Sequence, residues 1–547
     1  MKFSRRFFHT LGMLVALAVL VWAIGSVQNR MNRMRRDHRL TDNTEITDAP
    51  PVVAFTTMAL GGFRGLIADF LFLRSWRLQE ESSYFEMVQL ASWIVKLQPK
   101  FTGAAAWLAW NMAYNISVTL SDFEDRWQWV QRGVELLRDE ALVYNPGDPR
   151  LFFELAWIYQ HKMGHELDNA QKYYKSRLAV LVTNVVGEYP PDWRAIHAGA
   201  ANRSELAERI GDDHPFWEWL DGSGMSFAEL EEEFRGNAAL PEDLAEVLAD
   251  EADRAEVETC LRRRWLELGL RLDAAYIANL NDRYGELDWR LPEAHAIYWA
   301  SRGLDADDER MDTFCNRVIF QSLANAFEMG RVVMLAEANY MELVPNISLV
   351  DAVRDVYLEN IEMQSAAGSE AIHGTTTGYE NFLTDAVVNL FMYGRNERAQ
   401  EYLKLARETF PHRDYFRKPL EEFALYELGG DLAQATQGQA RGLVNAYLMQ
   451  SCSSLAAGEH ERARMLEIMA VRIHAKYGEF IGSREIDQLR RALPPIRSMK
   501  RTVVEQCLTE FPEGLAKRLR AELQQQTGRL DLGLGDDDDE GEDGDRL

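Results

Sequence analysis

Two histidines four residues apart, His161 and His165, are the nearest approach to a helical metal site in this 547-residue sequence. On an unbroken helix that spacing aligns two imidazoles, and zinc asks for three or four such ligands. Gly164 interrupts the run, and Glu166 follows the second histidine, so the His-Glu-x-x-His order is missing. The pair is expected as solvated turn histidines. The run Asp221-Gly222-Ser223-Gly224 echoes a calcium loop, which needs carboxylates at positions 1 and 12 around a glycine at 6. With Gly224 at 6 those places fall to Trp219 and Leu230. A turn is expected there, with Ser226 and Glu229 at capping-box spacing for the next helix. Gly61-Gly62-Phe63-Arg64-Gly65 lacks the Gly-Lys-Ser/Thr of a phosphate loop. His295 follows Pro292 on an apolar run and is expected as a hydrogen-bonded core residue. Cys260, Cys315, Cys452 and Cys507 are scattered, which excludes a zinc ribbon, a c-type haem site and a disulfide framework. No catalytic residue, metal or cofactor is expected.

The elements that would position any site are helical. Apolar residues recur three and four apart from about 52 to 526, and period-two alternation is scarce. Prolines fall at breaks, among them Pro99, Pro146, Pro292, Pro345 and Pro411. Hydrophobic residues at 47% supply a globular core. The net charge of −26 excludes a nucleic-acid partner, because phosphate binding needs clustered positive charge.

The clearest period runs from 380 to 411. Counting from Glu380, Leu383, Ala386, Val387, Leu390, Gly394, Ala399, Leu403, Ala406 and Pro411 fall at places 4, 7, 8, 11, 15, 20, 24, 27 and 32. Small residues at 8, 20 and 27 let two antiparallel helices approach, and larger ones fill the seam. This unit resembles the tetratricopeptide repeat (TPR) along its whole period. Looser matches cover 444–478, the run around Pro149, and the run with Trp107, Trp110 and Tyr114, where helix B is elongated. The resemblance implies an all-α, TPR-like α-solenoid of helical hairpins with a concave groove. It assigns that groove Arg150, Phe153, Trp157, Gln160 and His161, together with Asn115 and Asn381. An Asn or Arg there would bind peptide backbone or carboxylate, and a Trp would anchor an apolar side chain.

The ends stand apart from the array. Residues 7–29 carry no formal charge and, as a helix, cover roughly 30 Å, the depth of a bilayer's hydrocarbon layer. Lys2, Arg5 and Arg6 precede them, and Arg30, Arg33, Arg35, Arg36 and Arg39 follow. An uncleaved single-span anchor at 1–29 is expected, with a linker at 30–51. Ala23-Ile24-Gly25 leaves a cleaved signal peptide as the competing reading, and Ser4-Arg5-Arg6-Phe7-Phe8 resembles a twin-arginine export signal. The basic residues nearly balance across the span, and the export-like start tips the soluble part toward the extracytoplasmic side. Helical arrays are expected at 52–191 and 292–527, with an acidic helical insertion at 192–291 and a disordered acidic tail at 528–547. The first helix is expected to be packed, with Arg64 and Asp69 on its polar edge; lying on the membrane surface is its competing reading. Together these features predict a scaffold tethered in the inner membrane that gathers protein partners in a transport, secretion or envelope-assembly complex. A metal-dependent enzyme with its site in 192–291 is the alternative.

Overall fold

The computed structural model describes residues 63–527 except 82, 307, 336–339, 367, 369–371, 430–434 and 483–491, plus six isolated positions between 19 and 34. The expected anchor, linker and tail therefore lie essentially outside the described residues. Among the described residues no helix is long and apolar enough to cross a membrane. The described residues are all-α apart from one small hairpin of strands.

The amino-terminal part begins with α1 (Phe63–Glu80) packed on α2 (Tyr84–Leu97). Helix α3 (Thr102–Trp110) runs on through a π-helical turn, Asn111–Ile116. Helix α4 (Phe123–Glu135) starts where the Asp122 carboxylate accepts the backbone N–H groups of Glu124 and Asp125, and it too continues as a π turn, Leu136–Ala141. Helix α5 (Pro149–Trp157) has the same design: an Asp148 cap, proline in the first turn, and a π turn, Ile158–Gly164. Helix α6 (Gln171–Val186) follows. Close approach of α3 and α4 needs small residues, since a β-carbon on Gly133 would stand 2.8 Å from the Ala109 carbonyl oxygen.

The chain then makes an excursion through short capped helices: α7 (Trp193–Ala198), α8 (Arg203–Ile210), α9 (Pro215–Ser223), α10 (Phe227–Asn237), α11 (Glu242–Val247), α12 (Glu251–Arg264) and α13 (Ala274–Tyr284). The Ser226–Glu229 capping box opens α10, and Gly224 holds the preceding left-handed turn at φ +70°. Helix α14 (Pro292–Leu304) then returns to lie along α5 and its π turn, with α15 (Asp312–Met329) on its other side. Lys175 of α6 meets Glu293 of α14 at 2.7 Å, both nearly sealed from solvent.

Strands β1 (Arg331–Leu335) and β2 (Tyr340–Val344) form an antiparallel pair with Arg331 opposite Val344. The sequence reading contained no strand here; five residues a side between helices give too short a run to register as alternation. The outer edge of β1 is capped by side chains: the Val332 N–H donates to Asp288 and its carbonyl accepts from Arg290, each at 2.7 Å.

Beyond it come α16 (Val350–Ala366), α17 (Ile372–Met392), α18 (Asn396–Thr409), α19 (Leu420–Gly429), α20 (Gln437–Ala456), α21 (His460–Gly482), α22 (Ile496–Glu510) and α23 (Glu513–Thr527). Helices α17 and α18 carry the clearest period. Ala386, Val387, Ala399, Leu403 and Ala406 are fully buried, and Gly394 turns the chain at φ +69°. Helix α17 starts well before residue 380, at Ile372. The α20–α21 pair turns at Gly458 with φ +82°.

Candidate functional site

Helix α5 exposes one face on which Arg150, Phe153, Trp157 and His161 succeed one another at the spacing of helical neighbours. The Trp157 and His161 rings stack with centroids 4.7 Å apart and planes 11° from parallel. Phe153 lies 6.0 Å from Trp157 and 5.5 Å from Phe314, which α15 supplies. On the other side His161 contacts Tyr114 of α3 at 5.7 Å, and Tyr114 stacks on Trp110 at 5.5 Å. The result is a row of six rings contributed by three helices. Phe314 and Trp110 at its two ends are exposed, and the rings between them are half-buried.

Electrostatics make this row uncharged rather than reactive. Burial, then the neighbouring His165 and Lys162, hold the His161 imidazole below its ordinary pKa, so it is neutral at pH 7. Its Nδ1 is buried without a hydrogen-bond partner. Burial, reinforced by Glu154, raises the Tyr114 hydroxyl. Beneath the row runs a buried ionic brace. Lys162 meets Asp168 at 2.5 Å, Arg126 approaches the same carboxylate at 3.5 Å, and Arg126 donates to Asn169 at 2.6 Å. The Lys162 ammonium lies 5.5 Å from the Tyr114 ring centroid, which ties brace to row.

The residues assigned from the repeat divide into two groups. Arg150, Phe153, Trp157 and His161 come together on α5. The others do not join them. Gln160 is buried, its amide donating to the Val318 carbonyl at 3.0 Å and the Ser322 hydroxyl at 3.2 Å, so it holds α5 to α15 instead of facing a groove. Asn115, half-buried in the α3 π turn, donates to Asn111 at 2.7 Å. Asn381 is exposed on α17, an element outside the row. His161 also departs from the solvated turn residue expected of it, because the π turn keeps it on the helix beneath Trp157; His165 beyond Gly164 is exposed. Phe314 went unforeseen, since only the return of α14 brings α15 beside α5.

The excursion offers no comparable constellation. Its acids meet arginines: Glu231 pairs with Arg264, Glu258 with Arg254 and Arg262, and Glu267 with Arg263. Among the described residues no three His, Cys, Asp or Glu side chains converge as a metal would need. His295 is a core residue, its Nε2 2.9 Å from the Trp289 carbonyl and its ring stacked on Tyr159. No family model, curated protein or solved structure matches this chain.

Proposed function

We propose that this chain is a membrane-tethered scaffold of TPR-like helical hairpins, with no catalysis of its own, whose aromatic row receives a protein partner. The single observation that carries the reading is that row: six rings in contact across α3, α5 and α15, open at both ends and braced from below. Rigid aromatic side chains give large contact area at small entropic cost, and Trp and Tyr dominate binding hot spots. Arg150, exposed at one end and near Glu154 at 3.9 Å, supplies a charge at the rim. The uncharged stretch at 7–29, the TPR spacing at 380–411 and the paired helices α17–α18 and α20–α21 support the tether and the array. In this reading the soluble part lies on the extracytoplasmic side of the inner membrane, within a transport, secretion or envelope-assembly complex.

The test is photo-crosslinking in cells from a benzophenone amino acid at position 150 or 314. A discrete adduct is expected from both positions, absent from a probe at the remote exposed position 381. Trp157→Ala is expected to lower the adduct about tenfold or more, the size of a hot-spot truncation. Equal adducts with and without Trp157 would remove the row from partner binding.

A further inference from the structure

Helix α1 leaves one face uncovered. Its Ala68, Ser75 and Leu78 are buried, while Leu66, Phe70, Leu73 and Trp76 are each between 55% and 65% exposed. Their spacing of four, three and three places them within about 120° of one another at ~100° per residue. Together they form one apolar patch, with Asp69 and Arg77 among them, rather than scattered surface residues. Helix α1 is also packed on α2, and Asp69 is exposed beside these side chains.

We propose that this face of α1 lies on the lipid bilayer, immersed at headgroup and upper acyl depth. The inference rests on the reading of 7–29 as a membrane tether. Only 33 residues, 30–62, lie between that tether and α1, so α1 is held within reach of the surface. The helix carries too many charges to span, and its charge balance differs from that of the whole: Arg64, Arg74 and Arg77 against Asp69 and Glu80, within a chain of net −26. Trp76 belongs to the side chains that settle at a membrane interface. Arg77 and Asp69 share the exposed face at helical spacing. The Arg77 stem reaches headgroup phosphates, and Asp69 limits immersion to the interface rather than the hydrocarbon layer.

Two other occupants fit less well. Upstream residues 52–60 (VVAFTTMAL) are apolar save for two threonines. Laying them over α1 would only move the apolar surface outward. A second copy could bury about 500 Å² of these four side chains per subunit, short of the ~800 Å² per partner of a standard interface.

The test uses the full chain reconstituted into phosphatidylcholine vesicles. An environment-sensitive fluorophore is attached at Leu66→Cys, Leu73→Cys or, as control, Leu167→Cys in the exposed α5–α6 turn; the native cysteines are buried. Flotation reads the tether, and quenching by doxyl-labelled lipid reads α1. The expected result is flotation of all three proteins, with emission at 66 and 73 blue-shifted and quenched about twofold or more while 167 is unaffected. Flotation with 66 and 73 as wet as 167 overturns the placement of α1 and leaves the tether standing. Blue shift without lipid quenching means protein covers the patch, and overturns it equally. A chain that fails to float refutes the tether itself. Phe70→Glu with Leu73→Glu is expected to abolish quenching at 66 while flotation persists.

Discussion

Neighbouring positions on α5 have opposite fates. His161 lies against Trp157 on the surface, while Gln160, one residue earlier, is buried with its amide on Val318 and Ser322. Gln160→Leu is therefore expected to destabilise the fold by about 1–3 kcal/mol in urea melts, the net worth of two buried hydrogen bonds, and to leave crosslinking from position 150 unchanged. His295 makes a pH prediction. Burial pushes its pKa down to about 4, against ~6.5 in the unfolded chain, and the hydrogen bond to Trp289 and the Arg138 charge do less. As pH falls the unfolded chain takes the proton first. The contribution of the neutral ring is thus complete above pH ~6.5 and is lost on the way down to pH ~4, about 3 kcal/mol in all. His295→Gln keeps a donor for the Trp289 carbonyl without titrating. Its urea-melt stability should be flatter than the wild type's over that window; an identical pH dependence would contradict the assignment.

At the scale of elements, most helices were legible and their phase was not. Val387, Ala399 and Ala406 at the close-approach places and a glycine at the turn marked the α17–α18 pair, because helices approach where side chains are short. Gly394 and Gly458 both turn their pairs at positive φ with open space where a β-carbon would go. Gly394→Ala and Gly458→Ala should each cost about 1 kcal/mol in denaturant melts through backbone strain alone, leaving the denaturant slope unchanged. What spacing could not convey is the π turn. With Ala156 at place 8 in the repeat around Pro149, Gly164 and Ala170 fall one and two places late, and the structure takes up length inside the helix, at Ile158–Gly164. Within that turn His161 stays on the face of Trp157 while Gln160 turns inward to α15. The same device appears in α3 and α4, so it is a habit of this chain. The strand hairpin escaped notice for a different reason: its edge is completed by Asp288 and Arg290, more than forty residues upstream, as no local pattern could reveal.

For the molecule as a whole, the decisive event is the return of α14 to α5 after the excursion through α7–α13. The Lys175–Glu293 pair joins the two sides across 118 residues of chain. A buried ion pair contributes little against a well-packed apolar pair, yet losing one partner strands a charge. Glu293→Leu is expected to destabilise by about 3–5 kcal/mol, and Lys175→Met added to it should recover most of that loss. Urea melts of the two variants decide it; equal stability of single and double variants would contradict the reading. That return also sets a schedule for synthesis. The face of α5 that bears Leu151, Phe152, Leu155 and Tyr159 has no α14 to cover it until some 140 more residues leave the ribosome, an interval of roughly 10–30 s at ordinary elongation rates. Throughout it the nascent chain carries an open greasy flank, exposed to aggregation before the fold can close.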